Sequence, residues 1–391
     1  MLRRLRWYPR HLLLKPPSVS RSGIVVGQLS DPGLVPFPNM VRIGLLGYPN
    51  VGKTTLFNAL TGLEAFTAPH PYSTTEPRIG TVQVDDPLLD QVAALEGSRR
   101  VTHAALELLD LPAVRSGSVR GLGTGHELDL MLVVLRSHQS GRVPSEHGTD
   151  PASQAEDLLV EMALSDFEMF ERRQPRLLKE AAADPALRPT ADAITKAGDY
   201  LAKGIPLRQV GWSDQELRAF RDMAPLSLLS CVWAINMAED DYENTDGIQG
   251  LRQVLPDTDP VLAASALLEE EAARLEPSER LEIYQGFGMG EGVASQVVRA
   301  VYEALQLITF YTVSRRESRA WTISRGTPAR RAAGRVHSDL ERGFIRAEIA
   351  SIEDVIRLEG WDNARAGGIT RVEGKDYQVA DGDVVLVRFS V

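Results

Sequence analysis

The segment 47–54, which reads GYPNVGKT, constrains the fold of this chain more than any other part of the sequence. It matches the pattern G-x-x-x-x-G-K-[S/T], follows an apolar β-like run at 41–46, and precedes a helical stretch that ends near Gly62. In this strand–loop–helix context the glycines let successive backbone N–H groups and the helix N-terminus surround a phosphate. Lys53 then reaches the β and γ phosphates, and Thr54 offers its hydroxyl to magnesium. The segment therefore predicts a nucleoside-triphosphate site in an α/β domain of the P-loop NTPase type.

Composition indicates an ordinary globular protein of two or three domains. The chain has 391 residues, of which 43% are hydrophobic and 25% are charged, and both values are typical of soluble domains. Its single cysteine, Cys231, cannot form an intramolecular disulfide, and no Cys/His cluster has the spacing of a zinc site. No apolar run reaches the roughly 18 to 20 residues that a membrane helix needs. We expect a protein of a reducing compartment, with no integral membrane segment and a cytoplasmic location.

The first 39 residues differ from the rest of the chain. They are rich in arginine and proline and contain one acidic residue, Asp31. A mitochondrial transit segment has this basic, acid-poor composition. A misassigned start also accounts for it, because Met40 stands directly before the first predicted strand. We expect 1–39 to be a disordered or misassigned extension, with a mitochondrial location as the alternative if it is a transit segment.

Two further segments fall where a nucleotide-binding domain of this type needs them. Residues 69–77 (PHPYSTTEP) form a proline-rich loop that suits a first switch, in which Thr74 meets magnesium and the γ phosphate. Residues 103–110 (HAALELLD) read as a strand that ends in Asp110, whose carboxylate at the carboxyl edge of the sheet can hold magnesium through water. Alone, these segments are typical of an ordinary loop and strand. The phosphate loop favours the functional interpretation of both.

A possible base-recognition element follows an apolar strand predicted at 226–235. It reads NMAE at 236–239, where guanine-specific relatives of this fold read N-K-x-D. In those relatives the Asp accepts from N1 and N2 of guanine while the Lys packs over the base. Guanine offers two adjacent donors to a carboxylate and adenine offers only its N6 amino group. Because Met237 and Glu239 replace the Lys and the Asp, the sequence predicts adenine in preference to guanine.

Residues 146–225 predict a helical insertion. Apolar residues recur at helical spacing through 154–173, prolines from Pro175 onward interrupt the pattern, and SDQE at 213–216 is a capping box that opens a further helix. Apolar stripes of this kind usually pack into a core.

From residue 308 the sequence changes to short β-like runs separated by glycines and charged turns, which predicts a small β-grasp domain. Between 325 and 346 lie six arginines, at positions 325, 330, 331, 335, 342 and 346, against Asp339 and Glu341. Such a charge run is normally a solvated face. The formal net charge of −10 argues against wholesale coating of nucleic acid and still allows a local basic contact surface.

The order of these motifs resembles one family. GYPNVGKT, STTEP, LLDLP and NMAED, with the C-terminal blocks RAWTISRGTPARRAAGRVHSDLERGFIRAEI and EGKDYQVADGDVV, are similar to the YchF or Obg-like ATPase family over 40–391. The resemblance implies an Obg-type G domain in two parts, 40–145 and 226–307, around an inserted α-helical arm at 146–225. It also implies a C-terminal β-grasp (ubiquitin-like) TGS domain at 308–391. A preference for ATP over GTP, use of Mg²⁺, and association with the ribosome or its large subunit, with RNA contact through the TGS domain, follow from the same resemblance.

The resemblance also assigns site residues. The residues assigned to the nucleotide are Asn50, Val51, Gly52, Lys53, Thr54, Thr55, Asn236, Met237 and Glu239. Thr54, Thr74 and Asp110 are assigned to magnesium, and Lys53 and Asp110 to catalysis. The resemblance further suggests that Asn50 helps to hold a monovalent cation such as K⁺.

The second switch departs from the family pattern. The family usually has D-I-A-G followed by a long glycine-rich loop, whereas this chain reads DLPA at 110–113 and the segment that leads to Arg136 is several residues short. Ala113 keeps a backbone N–H for a γ phosphate, but its Cβ prevents the rearrangement that glycine permits. We therefore expect slow ATP hydrolysis. The alternatives are a ribosome- or RNA-binding adaptor that binds nucleotide with little hydrolysis, and an Obg-type GTPase, which Met237 and Glu239 disfavour.

Overall fold

The computed structural model describes residues 40–63, 78–114, 128–139, 147–238 and 246–390. The N-terminal extension 1–39 and most of the segment between Ala113 and Arg136 that the sequence marks as short lie outside these ranges. The predictions for Thr74 in the first switch and for Glu239 in the base element also fall outside the described residues.

Twelve strands are described. They are β1 (Val41–Leu46), β2 (Arg78–Gln83), β3 (Val101–Thr102), β4 (Ala105–Asp110), β5 (Leu130–Arg136), β6 (Ser230–Asn236), β7 (Val261–Ala264), β8 (Leu307–Thr312), β9 (Ser318–Ser324), β10 (Phe344–Ser351), β11 (Arg371–Glu373) and β12 (Asp383–Phe389). They form two six-stranded sheets, with the orders β2-β4-β1-β5-β6-β7 and β11-β10-β12-β8-β9-β3.

Thirteen α-helices accompany the strands in the described ranges. They are α1 (Lys53–Thr61), α2 (Pro87–Glu96), α3 (Pro151–Ala183), α4 (Arg188–Leu201), α5 (Asp214–Phe220), α6 (Asp246–Val254), α7 (Ala266–Ala272), α8 (Pro277–Gly286), α9 (Gly292–Ala304), α10 (Ala329–Val336), α11 (Ser338–Arg342), α12 (Ile352–Arg357) and α13 (Trp361–Ala366). None of these helices combines the length and the apolar character that crossing a membrane requires.

The first sheet is parallel except for β2, which runs antiparallel to β4. All seven residues of β5 are buried, and the first six are apolar, as is typical of parallel strands covered on both faces. The carboxyl ends of β1, β4, β5, β6 and β7 meet at one edge of this sheet. Ligands of open α/β sheets bind at that edge, so the fold places the phosphate loop, Asp110, Arg136 and Asn236 in one region.

The strand predicted at 226–235 begins later than expected. Leu226–Leu228 form a 3₁₀ turn, and β6 starts at Ser230. The carboxylate of Asp166 in α3 accepts hydrogen bonds from the backbone N–H groups of Leu226 (3.0 Å) and Ser227 (2.7 Å). These two bonds hold the turn out of the sheet. The apolar pattern at 226–235 therefore predicted the strand correctly only from Ser230 onward.

The insertion is helical, and one expected break in it is wrong. The helix α3 continues through Pro175 to Ala183, a length of 33 residues. A proline inside a helix removes one backbone hydrogen bond. Beyond it, the buried side chains of Leu177 and Ala181 pack into the hydrophobic cluster that α3 shares with α4 and α5, and this burial offsets the lost bond. The capping box predicted at 213–216 is present at the start of α5.

The second sheet includes a strand from the N-terminal half of the chain. The two-residue strand β3 pairs with β9 at the edge of the C-terminal sheet. Leu89 and Val92 of α2 pack with Tyr311 of β8, whose hydroxyl donates to Asp86 at 2.8 Å. The C-terminal β-structure is therefore packed directly against the nucleotide-binding half. The boundaries given above for the five segments stay a prediction.

Candidate nucleotide-binding site

The loop between β1 and α1 requires glycine at two positions. Gly47 has φ +156°, and a Cβ there would lie 2.5 Å from the carbonyl oxygen of Val134. Gly52 has φ +96°, and a Cβ there would clash with the side-chain amide of Asn236. The N-cap of α1 is Gly52, and within the described residues no side chain caps this helix. Its first backbone N–H groups are thus available to an anion, which the helix dipole also favours.

The ammonium group of Lys53 lies inside this loop. It donates to the carbonyl oxygens of Gly47 (3.1 Å) and Tyr48 (3.0 Å), and the residue is only 8% exposed. Burial lowers the pKa of Lys53 to about 8, although the nearby charge of Asp110 opposes this shift. A buried cation held by two neutral carbonyl groups is poised to exchange them for phosphate oxygens, which neutralise its charge.

Thr54 and Asp110 meet beside the loop. The Thr54 hydroxyl donates to Oδ2 of Asp110 at 2.9 Å, and Asp110 is fully buried. Burial raises the pKa of the Asp110 carboxyl, against the hydrogen bond from Thr54 and the charges of Lys53 and Arg78. Within the described residues, the other oxygen of this carboxylate, Oδ1, is buried without a hydrogen-bond partner. A buried carboxylate oxygen with nothing to accept from, next to a threonine hydroxyl, fits magnesium or a water bound to magnesium.

Asn236 connects the phosphate loop to the beginning of α7. Its side-chain amide donates to the carbonyl of Val51 at 2.9 Å, and its side-chain oxygen accepts from the backbone N–H of Ala266 at 3.0 Å. The next residue, Met237, is buried, and its backbone N–H donates to the carbonyl of Ala264. Asn236 thus organises the edge of the site through three chain segments. Its predicted contact with the base, together with that of Met237, stays a prediction.

The start of the second switch lies against the phosphate loop. The backbone N–H of Val114 donates to the carbonyl of Gly47 at 3.1 Å, and the same carbonyl accepts from Lys53. Val114 is buried and Ala113 is half-buried. In this arrangement the Val114 N–H already has a partner, so it is not directed at a phosphate.

Arg136 is a site residue that sequence reasoning missed. It ends the apolar strand β5, is 2% exposed, and donates from Nη1 to the backbone carbonyl of Asn50 at 3.0 Å. Gln154 of α3 brackets it by accepting from the Arg136 N–H (3.0 Å) and donating to the Arg136 carbonyl (2.8 Å). A charged residue at the carboxyl end of a wholly buried strand was the available signal. The predicted role of Asn50 toward a monovalent cation stays a prediction.

The structure therefore brings most of the predicted site residues together. The described residues that meet at this sheet edge are Asn50, Val51, Gly52, Lys53, Thr54, Thr55, Asp110, Asn236 and Met237.

Comparison with known proteins gives the same picture over nearly the whole chain. The family model described as "50S ribosome-binding GTPase" matches residues 42–164, and the model YchF-GTPase_C, described as "Protein of unknown function (DUF933)", matches 307–390. The "Ribosome-binding ATPase YchF" of Haemophilus influenzae is 35% identical over 362 residues, which cover 90% of this chain and 99% of that protein. The chain belongs to the YchF/Obg-like ATPase family. The resemblance read from the motifs is confirmed.

Other relatives agree. The "Ribosome-binding ATPase YchF" of Bacillus subtilis is 31% identical over 89% of this chain and 99% of its own length. "Obg-like ATPase 1" of Pongo abelii is 30% identical over 90% of this chain and 93% of its own length. The solved Schizosaccharomyces pombe structure named as a YchF GTPase superposes with a TM-score of 0.76 at 25% identity, covering 90% of this chain and 98% of that one. The predicted fold class is confirmed.

Four arginines of the C-terminal cluster at 325–346 have partners within the protein. The guanidinium group of Arg330 donates to the Glu341 carbonyl, and Arg331 pairs with the Glu341 carboxylate at 3.4 Å. Arg342 pairs with Asp339. Arg335 is half-buried and donates to the carbonyl of Thr322. Much of the charge that the sequence displays is therefore offset by α11 or directed inward.

A second arginine cluster lies beside strands β10 and β12, around Glu348. Arg346 of β10 stands directly opposite Arg388 of β12. Arg388 and Arg365 both contact the carboxylate of Glu348, at 3.1 and 3.5 Å. The charge of Arg346 also helps to lower the pKa of this carboxyl, so two guanidinium groups contact Glu348 and a third acts on it through its charge. Two of them, Arg365 and Arg388, were missed because they are distant in sequence from the cluster at 325–346.

Proposed function

We propose that this chain binds ATP with magnesium, hydrolyses it slowly, and associates with a ribosome or its large subunit in a nucleotide-dependent manner. The observation that carries the proposal is the arrangement of three groups around the uncapped N-terminus of α1. Lys53 lies within the loop, Thr54 contacts Asp110, and one buried oxygen of Asp110 has no described partner. The names of the relatives, ribosome-binding ATPases, support the same function.

Each group has a chemical role in this proposal. The backbone N–H groups of the loop and of the first turn of α1 bind the phosphates. Lys53 leaves the carbonyls of Gly47 and Tyr48 to contact the β and γ phosphates. Thr54 and Asp110 are the residues that would hold magnesium, which neutralises charge on the phosphates when it is bound. Asn236 keeps the loop of residues 264–266 against Val51, which shapes the edge where the base binds.

Adenine is the base that the proposal favours. Met237 cannot cover the base with a charged side chain as lysine does, and its own side chain is buried in the core. The glutamate at position 239 has a side chain one methylene longer than aspartate, so its carboxylate does not match the two adjacent donors of guanine. GTP is therefore proposed as the weaker ligand.

The arginine cluster around Glu348 is proposed as a contact for ribosomal RNA. Arg365 and Arg388 contact the carboxylate of Glu348 and Arg346 lies opposite Arg388, so three guanidinium groups share one carboxylate and the cluster keeps a positive charge within an acidic chain. The planar guanidinium group of arginine can donate two hydrogen bonds at once to the oxygens of one phosphate. Because a ribosomal partner is available in the cytoplasm, a cytoplasmic location is part of the same proposal.

One observation favours the adaptor alternative, in which nucleotide is bound with little hydrolysis. The Val114 N–H is bonded to Gly47 and the preceding residue is alanine. This bond would restrain the movement by which the neighbouring Ala113 N–H approaches a γ phosphate.

Phosphate release from ATP and from GTP, measured on the unmodified chain and on Lys53→Ala, separates the candidates. Lys203→Ala is the matched control, because Lys203 is an exposed lysine of the helical insertion. Slow ATP turnover that Lys53→Ala abolishes and Lys203→Ala preserves supports the proposed ATPase. Binding of ATP without turnover would favour the adaptor, and faster turnover of GTP than of ATP would favour the GTPase.

A further inference from the structure

Arg78 lies on the strand next to the one that carries Asp110, the carboxylate of the nucleotide site. In the antiparallel pair of β2 and β4, Arg78 is the direct partner of Asp110. Directly opposite residues project from the same face of a sheet, with their Cβ atoms about 5 Å apart. The Asp110 carboxylate reaches the Thr54 hydroxyl at 2.9 Å on the face that α1 covers. Arg78 therefore extends from the strand on the phosphate-binding side of the sheet.

The charge of Arg78 acts within this site. It opposes the rise that burial causes in the pKa of the Asp110 carboxyl. Arg78 is half-buried, so it is not a fully solvated surface residue. An arginine side chain spans about 6 to 7 Å from Cα to the guanidinium group, which is enough to pass a neighbouring carboxylate and reach an anion beside it.

The other described groups of the site leave room for an arginine to contact the γ phosphate. Lys53 is the buried cation of the loop, the Val114 N–H is bonded to Gly47, and Ala113 replaces the glycine usual in the second switch. In phosphoryl transfer, charge is spread over the oxygens of the transferred group, and a guanidinium group that contacts them stabilises the transition state.

We propose that Arg78 contacts the γ-phosphoryl oxygens of bound ATP and is a catalytic residue of this chain. The proposal rests on the ATPase function proposed above. In the reaction the oxygen of a water molecule forms a bond to the γ phosphorus. The bond from that phosphorus to the β–γ bridging oxygen breaks, and its electron pair stays with ADP. The proton lost by the water passes to the released phosphate or to solvent, while Arg78 remains a charged donor throughout.

The test compares Arg78→Ala and Arg78→Lys with the unmodified chain. Arg176→Ala is the control, because Arg176 is an exposed arginine of α3 that pairs only with the nearby Glu180 in the described contacts. Affinities are measured in magnesium for ADP, for ATP, and for ADP with aluminium fluoride, which mimics the transferred phosphoryl group. We expect Arg78→Ala to weaken the aluminium fluoride complex at least about tenfold and the ADP complex less than about twofold. Single-turnover ATP hydrolysis should slow by a similar factor, and Arg176→Ala should change none of these values.

Arg78→Lys keeps the positive charge and loses the planar fork, so it should also weaken the aluminium fluoride complex selectively. If Arg78→Ala does not fold, the same measurements on Arg78→Lys provide the test. Equal weakening of ADP and of its aluminium fluoride complex would overturn the proposal, because it would mean that Arg78 only supports the fold. Tighter magnesium binding without selective loss of the aluminium fluoride complex would also overturn it, since Arg78 would then act only by neutralising Asp110. If the unmodified chain binds ATP and both variants behave like it, the proposed role of Arg78 is wrong and the proposed function stands. If the unmodified chain binds no nucleotide, the proposed function is wrong as well.

Discussion

The ring of Tyr48 lies parallel to the imidazole of His147, with ring centroids 3.6 Å apart and an interplanar angle of 8°. Tyr48 is the second residue of the phosphate loop and is buried, while His147 lies three residues before Asp150, the N-cap of α3. Burial and the charges of Asp157 and Glu161 on α3 raise the pKa of the Tyr48 phenol. The phosphate loop is therefore packed against the beginning of the helical insertion.

Gln154 provides a second connection between the same two parts. It binds the backbone of Arg136 on both sides, and Arg136 in turn donates to the carbonyl of Asn50. A displacement of α3 consequently changes two contacts of the loop, the stacked ring at position 48 and the carbonyl at position 50. The insertion is thus mechanically linked to the loop that binds phosphate.

Replacing His147 with alanine should loosen the loop without unfolding the chain. Stacked aromatic pairs contribute about 0.5 to 1.5 kcal/mol beyond their burial, so we expect nucleotide release to accelerate by about two- to tenfold. Stopped-flow release of a fluorescent ATP analogue measures this. His337→Ala is the control, because His337 is an exposed histidine of the C-terminal region. An unchanged release rate in His147→Ala would mean that the stack does not restrain the loop.

Nucleotide affinity should depend on pH through Lys53. Burial lowers the pKa of Lys53 to about 8 from the ordinary 10.5, and bound phosphate should raise it again because the charged form is then paired. At a pH between the pKa of Lys53 in the free chain and its pKa in the complex, the complex holds more protons than the free chain. Nucleotide binding therefore takes up a proton, and affinity falls by up to about tenfold per pH unit as pH rises above 8. Calorimetric titration at pH 8.5 in buffers of different ionisation enthalpy measures this uptake. Lys53→Ala should show none of it. Binding by the unmodified chain without proton uptake would contradict the account of Lys53.

Association with ribosomes should depend on the arginine cluster around Glu348. We expect Arg346→Gln/Arg388→Gln to reduce co-sedimentation with ribosomes and to flatten its dependence on salt, because fewer phosphate contacts release fewer counterions. The control is Arg274→Gln/Arg299→Gln, which removes two exposed arginines outside this cluster. Binding that is indifferent to salt and equal in both double variants would place the contact elsewhere, with the helical insertion as the next surface to test.

The sequence predicts those parts of the structure that depend on local chemistry. The phosphate loop, the end of α1 at Gly62 and the capping box of α5 were all confirmed, since each depends on a few neighbouring residues. The expected break at Pro175 was wrong because packing around Leu177 and Ala181 outweighs a local preference.

Contacts between distant segments could not be predicted in the same way. The position of Arg78 opposite Asp110 depends on the register of two strands, and the support of the phosphate loop by Asn236 joins residues 185 positions apart. The C-terminal arginines show the reverse problem. Neighbours in sequence that suggest one basic surface are partly paired with α11, whereas Arg365 and Arg388 join Arg346 from distant segments. Such features depend on how elements pair and pack, which a single sequence does not specify.

The most direct test of the ATP site is equilibrium competition between ATP and GTP for one fluorescent nucleotide, at equal magnesium, on the unmodified chain, Lys53→Ala and Lys203→Ala. We expect ATP to displace the probe at lower concentration than GTP. We also expect Lys53→Ala to weaken ATP binding by at least about tenfold, since a charge-assisted contact contributes about 1.5 to 3 kcal/mol, and Lys203→Ala to leave it unchanged. Tighter binding of GTP than of ATP, or an unchanged ATP affinity in Lys53→Ala, would contradict the assignment of this site to ATP.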